Sequence, residues 1–148
     1  MGPNVEPIPD EDRVSRLIES PIHYGADSDL LWVQIFQFND NQCESLVWRK
    51  YAPTANDVHA IGAAMVAEKK KKRPEREYVG FITGVKGPIA AYRNFRGHGF
   101  LVVHEPEEDK IFHCHICYAP NPNTPFQAND KSELKLALRS QFLELDKP

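Results

Sequence analysis

The chain has 148 residues, with 18 lysine and arginine residues against 21 aspartate and glutamate residues and a net charge of −3 at pH 7. A chain of this length suits one domain with its own core, and the mild charge gives no global argument for nucleic acid. No apolar run reaches the length of about 18 residues that a membrane-spanning helix needs, so no membrane partner is expected.

The cysteines and the first residues of the chain indicate a compartment. Three cysteines are an odd number without a small-scaffold spacing, which predicts three free thiols rather than a disulfide framework. The first residues hold no basic region followed by an apolar run, so we expect no secretory signal. The sequence therefore predicts a cytoplasmic protein.

The first 20 residues are predicted to be a tail followed by a short helix. Residues 1–9 hold three prolines and few apolar groups, so we predict a flexible tail there and a single domain at 10–148. Asp10 is a candidate cap for a short helix, which ends before Pro21 because the residue before a proline avoids the helical conformation. The apolar residues on one face of this helix are Val14, Leu17 and Ile18.

Three strands are predicted in the middle of the chain. The segment 30–38 is apolar and aromatic, and a turn cluster at 39–42 joins it to a partner strand at 43–51. A third strand is predicted at 78–85. The first two would form a hairpin.

The strongest helix prediction begins at Thr54. This residue is a candidate cap, with Asp57 three positions later in the spacing of a capping box. The helix ends in the basic run Lys69–Arg73 and is stopped by Pro74. Gly62 falls on its apolar stripe and is a candidate for a close approach to a neighbouring element. The other stripe residues, at helical spacing, are Val58, Ile61, Met65 and Val66.

Two further helices complete the predicted order. Pro88 at the start and Gly97 after the end indicate a short helix at 88–96. The last helix begins near Asp130, and its apolar stripe consists of Leu134, Leu138, Phe142 and Leu145. The order α-β-β-α-β-α-β-β-α predicts an α+β domain with a mainly antiparallel sheet and helices packed on it.

A predicted histidine-rich hairpin at 97–118 contains most of the candidate functional residues. If an acidic turn at 105–110 closes it with Val103 opposite Phe112, alternation sorts the side chains onto two faces. The apolar face, predicted to be the core side, carries Leu101, Val103, Phe112, Cys114, Ile116 and Tyr118. The other face carries His98, Phe100, Val102, His104, Ile111, His113, His115 and Cys117.

Part of this second face is a candidate zinc site. Imidazole and thiolate are the usual zinc ligands, and residues two apart on a strand face can converge on one ion. The alternative is a half-buried sheet face on which the histidines pack and the cysteine acts as a small hydrophobic residue. The candidate ligands are His98, His113, His115 and Cys117.

The same hairpin is also a candidate site for phosphate chemistry. Histidine can move a proton near neutral pH and guanidinium groups bind phosphate, which together suit metal-independent RNA cleavage. The candidate catalytic residues are His98, His113, His115, Arg93 and Arg96. The basic run Lys69–Arg73 is a separate candidate for contacts with phosphates, and its alternative is a solvated helix end.

The end of the chain resembles one known family. A strand at 111–118, a loop with prolines and the sequence Asn129–Leu134 opening an amphipathic helix resemble the C-terminal part of RelE/ParE-type toxins. The resemblance covers at most the last third of the chain. The first 85 residues lack the two-helix opening of those proteins, and the strand lacks the arginine or lysine that they often carry.

The absence of a strong catalytic motif decides the functional expectation. We expect a small cytoplasmic binding or accessory protein without catalysis, whose partner is a protein or a nucleic acid. The alternative is a small metal-independent nuclease or another phosphate-processing enzyme that uses the histidine-rich hairpin, or a zinc site on it. No cofactor other than that zinc is expected.

Overall fold

A six-stranded antiparallel sheet organises the computed structural model. The structure describes residues 4–21, 24–25, 30–31, 35–38 and 42–148. In chain order, the elements are β1 (Arg13–Ser20), β2 (Tyr24–Gly25), β3 (Leu30–Leu31), β4 (Cys43–Trp48), α1 (Ala55–Lys70), β5 (Glu77–Val85), α2 (Lys86–Ala91), β6 (Gly99–His104), β7 (His113–Ala119), α3 (Ala128–Gln141) and β8 (Leu143–Asp146).

The strand order of the main sheet is β6-β7-β4-β1-β5-β8, and each neighbouring pair is antiparallel. Strands β2 and β3 pair separately. The predicted α+β class, as a single small domain with a mainly antiparallel sheet, is confirmed. Within the described residues, no helix is long and apolar enough to cross a membrane.

The predicted helix after Asp10 is wrong, because this segment is the central strand β1. Val14 and Ile18 are fully buried, and the strand pairs with β4 on one side and β5 on the other. A spacing of four residues places two side chains on one face of a helix and also on one face of a strand. The apolar spacing therefore fitted both structures, and pairing with β4 and β5 determines which one forms.

The predicted first hairpin is also wrong where the structure describes it. Strand β4 forms at the predicted place, but its neighbours in the sheet are β1 and β7. Of the predicted strand at 30–38, residues 30–31 pair with β2 instead, and 35–38 are not a strand. Residues 32–34 and most of the predicted turn at 39–42 lie outside the described residues.

One face of the sheet carries the larger core. Helices α2 and α3 and the segment 35–38 cover this face, and the packing includes fully buried Trp48 from β4 and Leu134 and Leu138 from α3. The rings of Phe36 and Phe142 lie 5.0 Å apart within it. The covered face therefore uses apolar residues from most of the length of the chain.

Helix α1 packs on the opposite face, over β5, and its predicted start is confirmed. The hydroxyl of Thr54 accepts a hydrogen bond from the Asp57 N–H, and the Asp57 carboxylate accepts one from the Thr54 N–H. The buried residues of the helix are Val58, Gly62 and Val66, whereas Ile61 is half-buried. A Cβ atom on Gly62 would overlap the ring of Tyr78, so the expected close approach at this glycine is confirmed.

The predicted helix at 88–96 is shorter and begins earlier, at Lys86–Ala91. Tyr92 adopts an extended backbone conformation that ends it, and Arg93 then forms a β-bridge with Gly99. Arg93 and Arg96 consequently lie in a turn rather than on a helix.

The first described residues contact the sheet. Ile8 is 6% exposed and belongs to the larger core. The Glu6 carboxylate pairs with Lys50 at 2.7 Å and also accepts a hydrogen bond from the Tyr51 hydroxyl. The division into a tail at 1–9 and a domain at 10–148 stays a prediction.

Candidate functional site

The predicted register of the histidine-rich hairpin is wrong. In the structure Val102 lies opposite Ile116 and His104 lies opposite Cys114, so the pairing has slipped by three residues. An odd slip exchanges the two faces of one strand. The face assignment of β7 stands, with Cys114 and Ile116 buried. The face assignment of β6 is reversed, with Phe100 buried and Leu101 exposed.

This reversal separates the four histidines of the hairpin. His98 and His104 are buried on the covered side of the sheet, whereas His113 and His115 lie on the opposite face of β7. His98 and His113 also lie at opposite ends of the hairpin, about 20 Å apart at a rise of about 3.3 Å per residue. The structure brings only the pair His113 and His115 together.

The two buried histidines connect segments of backbone. His98 Nδ1 accepts a hydrogen bond from the Asn121 N–H at 2.8 Å, and its Nε2 donates to the Pro125 carbonyl at 3.1 Å. His104 Nδ1 accepts from the Glu6 N–H at 3.0 Å, and its Nε2 donates to a carbonyl of the following loop at 2.8 Å. Both nitrogens of each ring are therefore engaged within the fold.

His113 and His115 form an edge-to-face pair with ring centroids 4.7 Å apart. His113 Nδ1 donates to the Glu105 carbonyl at 3.0 Å, and its Nε2 accepts from the Ser45 hydroxyl at 3.2 Å. Burial, followed by the charge of His113, lowers the pKa of His115. These two rings form part of a half-buried sheet surface.

The predicted three free thiols are wrong, because Cys43 and Cys117 form a disulfide between β4 and β7. Cys114 alone is free, and it is buried. Cys117 accordingly has no thiolate for the candidate zinc site, and His98 lies on the other side of the sheet. Across the described residues, no group of three or more histidine, cysteine, aspartate or glutamate side chains could hold a metal ion.

The turn between α2 and β6 presents a fully exposed aromatic ring. Phe95 is 100% exposed, and the turn that carries it is tightly closed. The Asn94 N–H donates to the His98 carbonyl at 2.8 Å, and the Gly97 N–H donates to the Asn94 carbonyl at 2.9 Å. Gly97 has a φ of +86°, in the left-handed region that favours glycine.

A network of buried polar side chains holds this turn. The Asn94 side-chain oxygen accepts hydrogen bonds from the N–H groups of Arg96 and His98, each at 3.0 Å. Its amide nitrogen donates to Asp130 at 2.9 Å. A hydrogen bond from the Gln127 backbone N–H, followed by that from Asn94, lowers the pKa of Asp130. A carboxylate at the start of α3 thus supports the conformation of the turn.

Two arginines flank Phe95 in the sequence. Arg93 is exposed, and its Nη1 donates to backbone carbonyls of the preceding residues at 2.7 and 2.8 Å. Arg96 Nε lies 3.8 Å from the buried Asp130 carboxylate. We call Arg93, Phe95 and Arg96 the Phe95 turn.

The basic run Lys69–Arg73 is largely neutralised by ion pairs. Three of its lysines pair with carboxylates, and two cations at its end are exposed. The pairs are Lys69 with Glu19 at 2.6 Å, Lys70 with Glu77 at 2.8 Å and Lys71 with Glu68 at 3.1 Å. Its role as a phosphate-contacting surface stays a prediction.

Arg93, Arg96 and His98 were predicted from the sequence as candidate site residues, whereas Phe95 was not. A local signal exists, because an aromatic residue stands between two arginines, with the turn residues Asn94 and Gly97 on either side. The comparisons add no further guide, since no protein-family model, curated protein or solved structure matches the chain.

Proposed function

We propose that the protein is a non-catalytic binding protein that contacts single-stranded nucleic acid through the Phe95 turn. The observation that carries this proposal is the complete exposure of Phe95 on a turn held by buried polar side chains. A fully exposed aromatic ring offers a face on which a nucleobase can stack, and the hydrogen bonds of Asn94 fix the backbone that carries it.

The residues of the turn suit this ligand chemically. A nucleobase can stack on the exposed ring in a way that tolerates any sequence, and arginine side chains can contact phosphates. Arg93 and Arg96 flank Phe95 directly in the sequence. The only carboxylate that lies within 4 Å of either guanidinium among the described residues is that of Asp130, which is buried.

Binding is favoured over the alternative nuclease activity. A nuclease without a metal needs an acid and a base beside the phosphate, but both ring nitrogens of His98 are engaged by backbone groups. His113 and His115 lie on the other face of the sheet. The hairpin histidines therefore do not supply proton transfer at the Phe95 turn.

A cytoplasmic location stays a prediction, and the Cys43–Cys117 disulfide weighs against a reducing compartment.

A protein partner is the competing interpretation of the Phe95 turn, since arginine and aromatic residues are also enriched at protein interfaces. The two arginines that flank Phe95 in the sequence favour nucleic acid, and the oligonucleotide experiment distinguishes the two partners.

The experiment measures fluorescence anisotropy of labelled single-stranded DNA and RNA oligonucleotides, with duplex DNA for comparison. We expect single strands to bind with an affinity that falls as salt rises. Phe95→Ala should weaken binding roughly 5- to 150-fold, the effect of losing one base–aromatic stack. The matched control is Leu136→Ala, which removes a side chain that is 62% exposed on α3.

Three results would overturn the proposal. The first is no binding of single strands by the wild type at low salt. The second is equal binding by Phe95→Ala and the wild type. The third is an equal loss of binding in Leu136→Ala, which would indicate a non-specific surface effect.

A further inference from the structure

Arg49 is a buried cation in the 3-10 turn that follows β4. It is 7% exposed, and it makes four hydrogen bonds with its five N–H groups. Its Nε donates to the Ala52 carbonyl at 2.8 Å, and its Nη2 donates to the Pro53 carbonyl at 3.1 Å. Nη1 donates to the Ser15 and Thr83 hydroxyls at 3.3 and 3.4 Å. All four acceptors are neutral.

No carboxylate of the described residues lies within ion-pair distance of Arg49. The other mostly buried arginines differ in this respect, since Arg16 pairs with Glu44 at 2.9 Å and Arg76 pairs with Glu19 at 3.3 Å. Charges that leave water are normally compensated by an opposite charge, because burial of an isolated charge is costly. Arg49 is thus a buried positive charge without a counter-charge in direct contact.

The nearest charges do not remove this imbalance. Burial lowers the pKa of Arg49, the charge of Arg13 lowers it further, and Asp146 and Asp57 act in the opposite direction. Both carboxylates have partners elsewhere. Asp146 accepts a hydrogen bond from His59 Nε2 at 2.9 Å, and Asp57 belongs to the capping box of α1.

Arg49 lines a cavity of about 640 Å³ beside β8 and the beginning of α1. The cavity wall includes Ala55, the first residue of α1. The first N–H groups of a helix have no acceptor inside the helix and carry partial positive charge, and in α1 the Thr54 hydroxyl accepts a hydrogen bond from that of Asp57. Three cations and two carboxylates contribute to this wall, namely Arg13, Arg49, Lys147, Glu144 and Asp146.

We propose that this cavity binds a small oxyanion, a phosphate group or a carboxylate, that compensates the charge of Arg49. The ligand would receive a charge-assisted hydrogen bond from the one N–H group of Arg49 that has no acceptor among the described residues, at Nη2, and others from the guanidinium group of Arg13, whose fork of donors matches the geometry of such anions. The start of α1, where Ala55 lines the cavity, adds the partial positive charge of a helix N-terminus. The volume also has room for the organic part of a small molecule that carries the anion.

The experiment titrates the wild-type protein with three probes in a calorimeter at matched ionic strength. The probes are inorganic phosphate, glycerol phosphate and acetate. Binding of inorganic phosphate indicates a free ion as ligand, binding of glycerol phosphate alone indicates an organic phosphate, and binding of acetate alone indicates a carboxylate. Each result supports the site, whereas no binding of any probe overturns it.

Two variants and a control locate the bound anion. Arg49→Met should abolish binding, and Arg13→Gln, at an exposed position, should weaken it roughly 10- to 100-fold through the loss of a charged donor. Lys72→Gln removes an exposed cation beyond the other end of α1 and should bind as the wild type does. If Arg49→Met does not fold, Arg13→Gln decides. Unchanged affinity in Arg13→Gln overturns the proposal.

Discussion

Cys43 and Cys117 lie directly opposite each other on β4 and β7, with Cα atoms 4.1 Å apart. The neighbouring pair is hydrogen-bonded, since the Tyr118 N–H donates to the Gln42 carbonyl, so the two cysteines occupy a non-hydrogen-bonded position where side chains come closest. Their disulfide joins residues that are 74 positions apart in the sequence. It therefore closes a long loop of the chain and cross-links the neighbouring strands β4 and β7.

Reduction of this disulfide should lower the free energy of unfolding by about 2–4 kcal/mol, because the unfolded chain regains the conformations that the closed loop excludes. Urea unfolding with and without reductant measures the change. A Cys43→Ser/Cys117→Ser variant should match the reduced wild type and should not respond to reductant. Three thiols in the unfolded, unreduced protein would contradict the disulfide.

Cys114 should be inert in the folded protein. Burial raises the pKa of its thiol to about 12, and the reactive species is the thiolate. We expect a thiol reagent at mildly alkaline pH to modify no cysteine in the folded, unreduced protein and one cysteine after unfolding. Rapid modification of the folded protein would show that β7 opens or that Cys114 is accessible.

Gly62→Ala should destabilise the protein although alanine is the better helix former. In an open helix this change would stabilise by about 1 kcal/mol, but a Cβ atom here would overlap the ring of Tyr78. Overpacking typically costs about 1–3 kcal/mol, and chemical denaturation measures the net effect. In a Tyr78→Ala background the same substitution should become stabilising. A stabilising effect in the wild-type background would contradict the close contact.

Acidification should destabilise the protein through His115. Its pKa is lowered in the folded state, so the unfolded state binds the proton more readily and the free energy of unfolding falls as pH drops below the ordinary histidine value of about 6.5. His113, Glu105, Glu107 and Glu44 are the groups whose charges act on it.

Denaturation midpoints between neutral and mildly acidic pH compare His115→Gln with the wild type. The variant should lose part of the decrease in stability with acidification. Identical pH dependence in the two proteins would show that His115 does not contribute.

Asn94→Ala should destabilise the protein and disturb the Phe95 turn. It leaves the buried His98 N–H without its acceptor, and an unsatisfied buried donor costs about 1–3 kcal/mol. Denaturation and oligonucleotide anisotropy should both report the change. The control is Asn123→Ala, an exposed asparagine in the neighbouring loop, which should affect neither measurement.

Local signals predicted the parts of the fold that depend on local interactions. The capping box of Thr54 and Asp57 placed the start of α1 correctly, and alternation identified the buried face of β7. The predicted face of α1 was only partly right. Val58 is fully buried, but Ile61 is half-buried, so Ile61→Ala should cost less than the roughly 2–5 kcal/mol of a fully buried site.

The register of the hairpin was not accessible to the same reasoning, because it depends on how the loop closes. The Glu105 N–H donates to the His113 carbonyl, and the bridge between Glu107 and Lys110 lies inside the resulting loop. Strand β7 begins at His113, and His104 lies opposite Cys114 rather than opposite Ile111 as predicted. The register is thus shifted by three residues, and this odd shift reverses the face of β6.

The candidate site was predictable in part. Arg93 and Arg96 were named for their chemistry, but the exposure of Phe95 depends on tertiary contacts of Asn94 with α3.

The disulfide was missed because the odd cysteine count was read as three free thiols. Cys114 and Cys117 are three positions apart on one strand and point to opposite faces.

The strand order also has a consequence for how the chain acquires its structure. When all eight described strands are counted in chain order, β6 and β7 are the only consecutive pair that is also adjacent in the main sheet. The central strand β1 is the first of these strands to be synthesised, yet its Ser15 hydroxyl meets that of Thr83, 68 residues later. Such non-local pairing gives slow folding, in the range of milliseconds to seconds. During translation, β1 would therefore keep two unpaired edges until β4 and β5 have emerged, and unpaired strand edges favour aggregation.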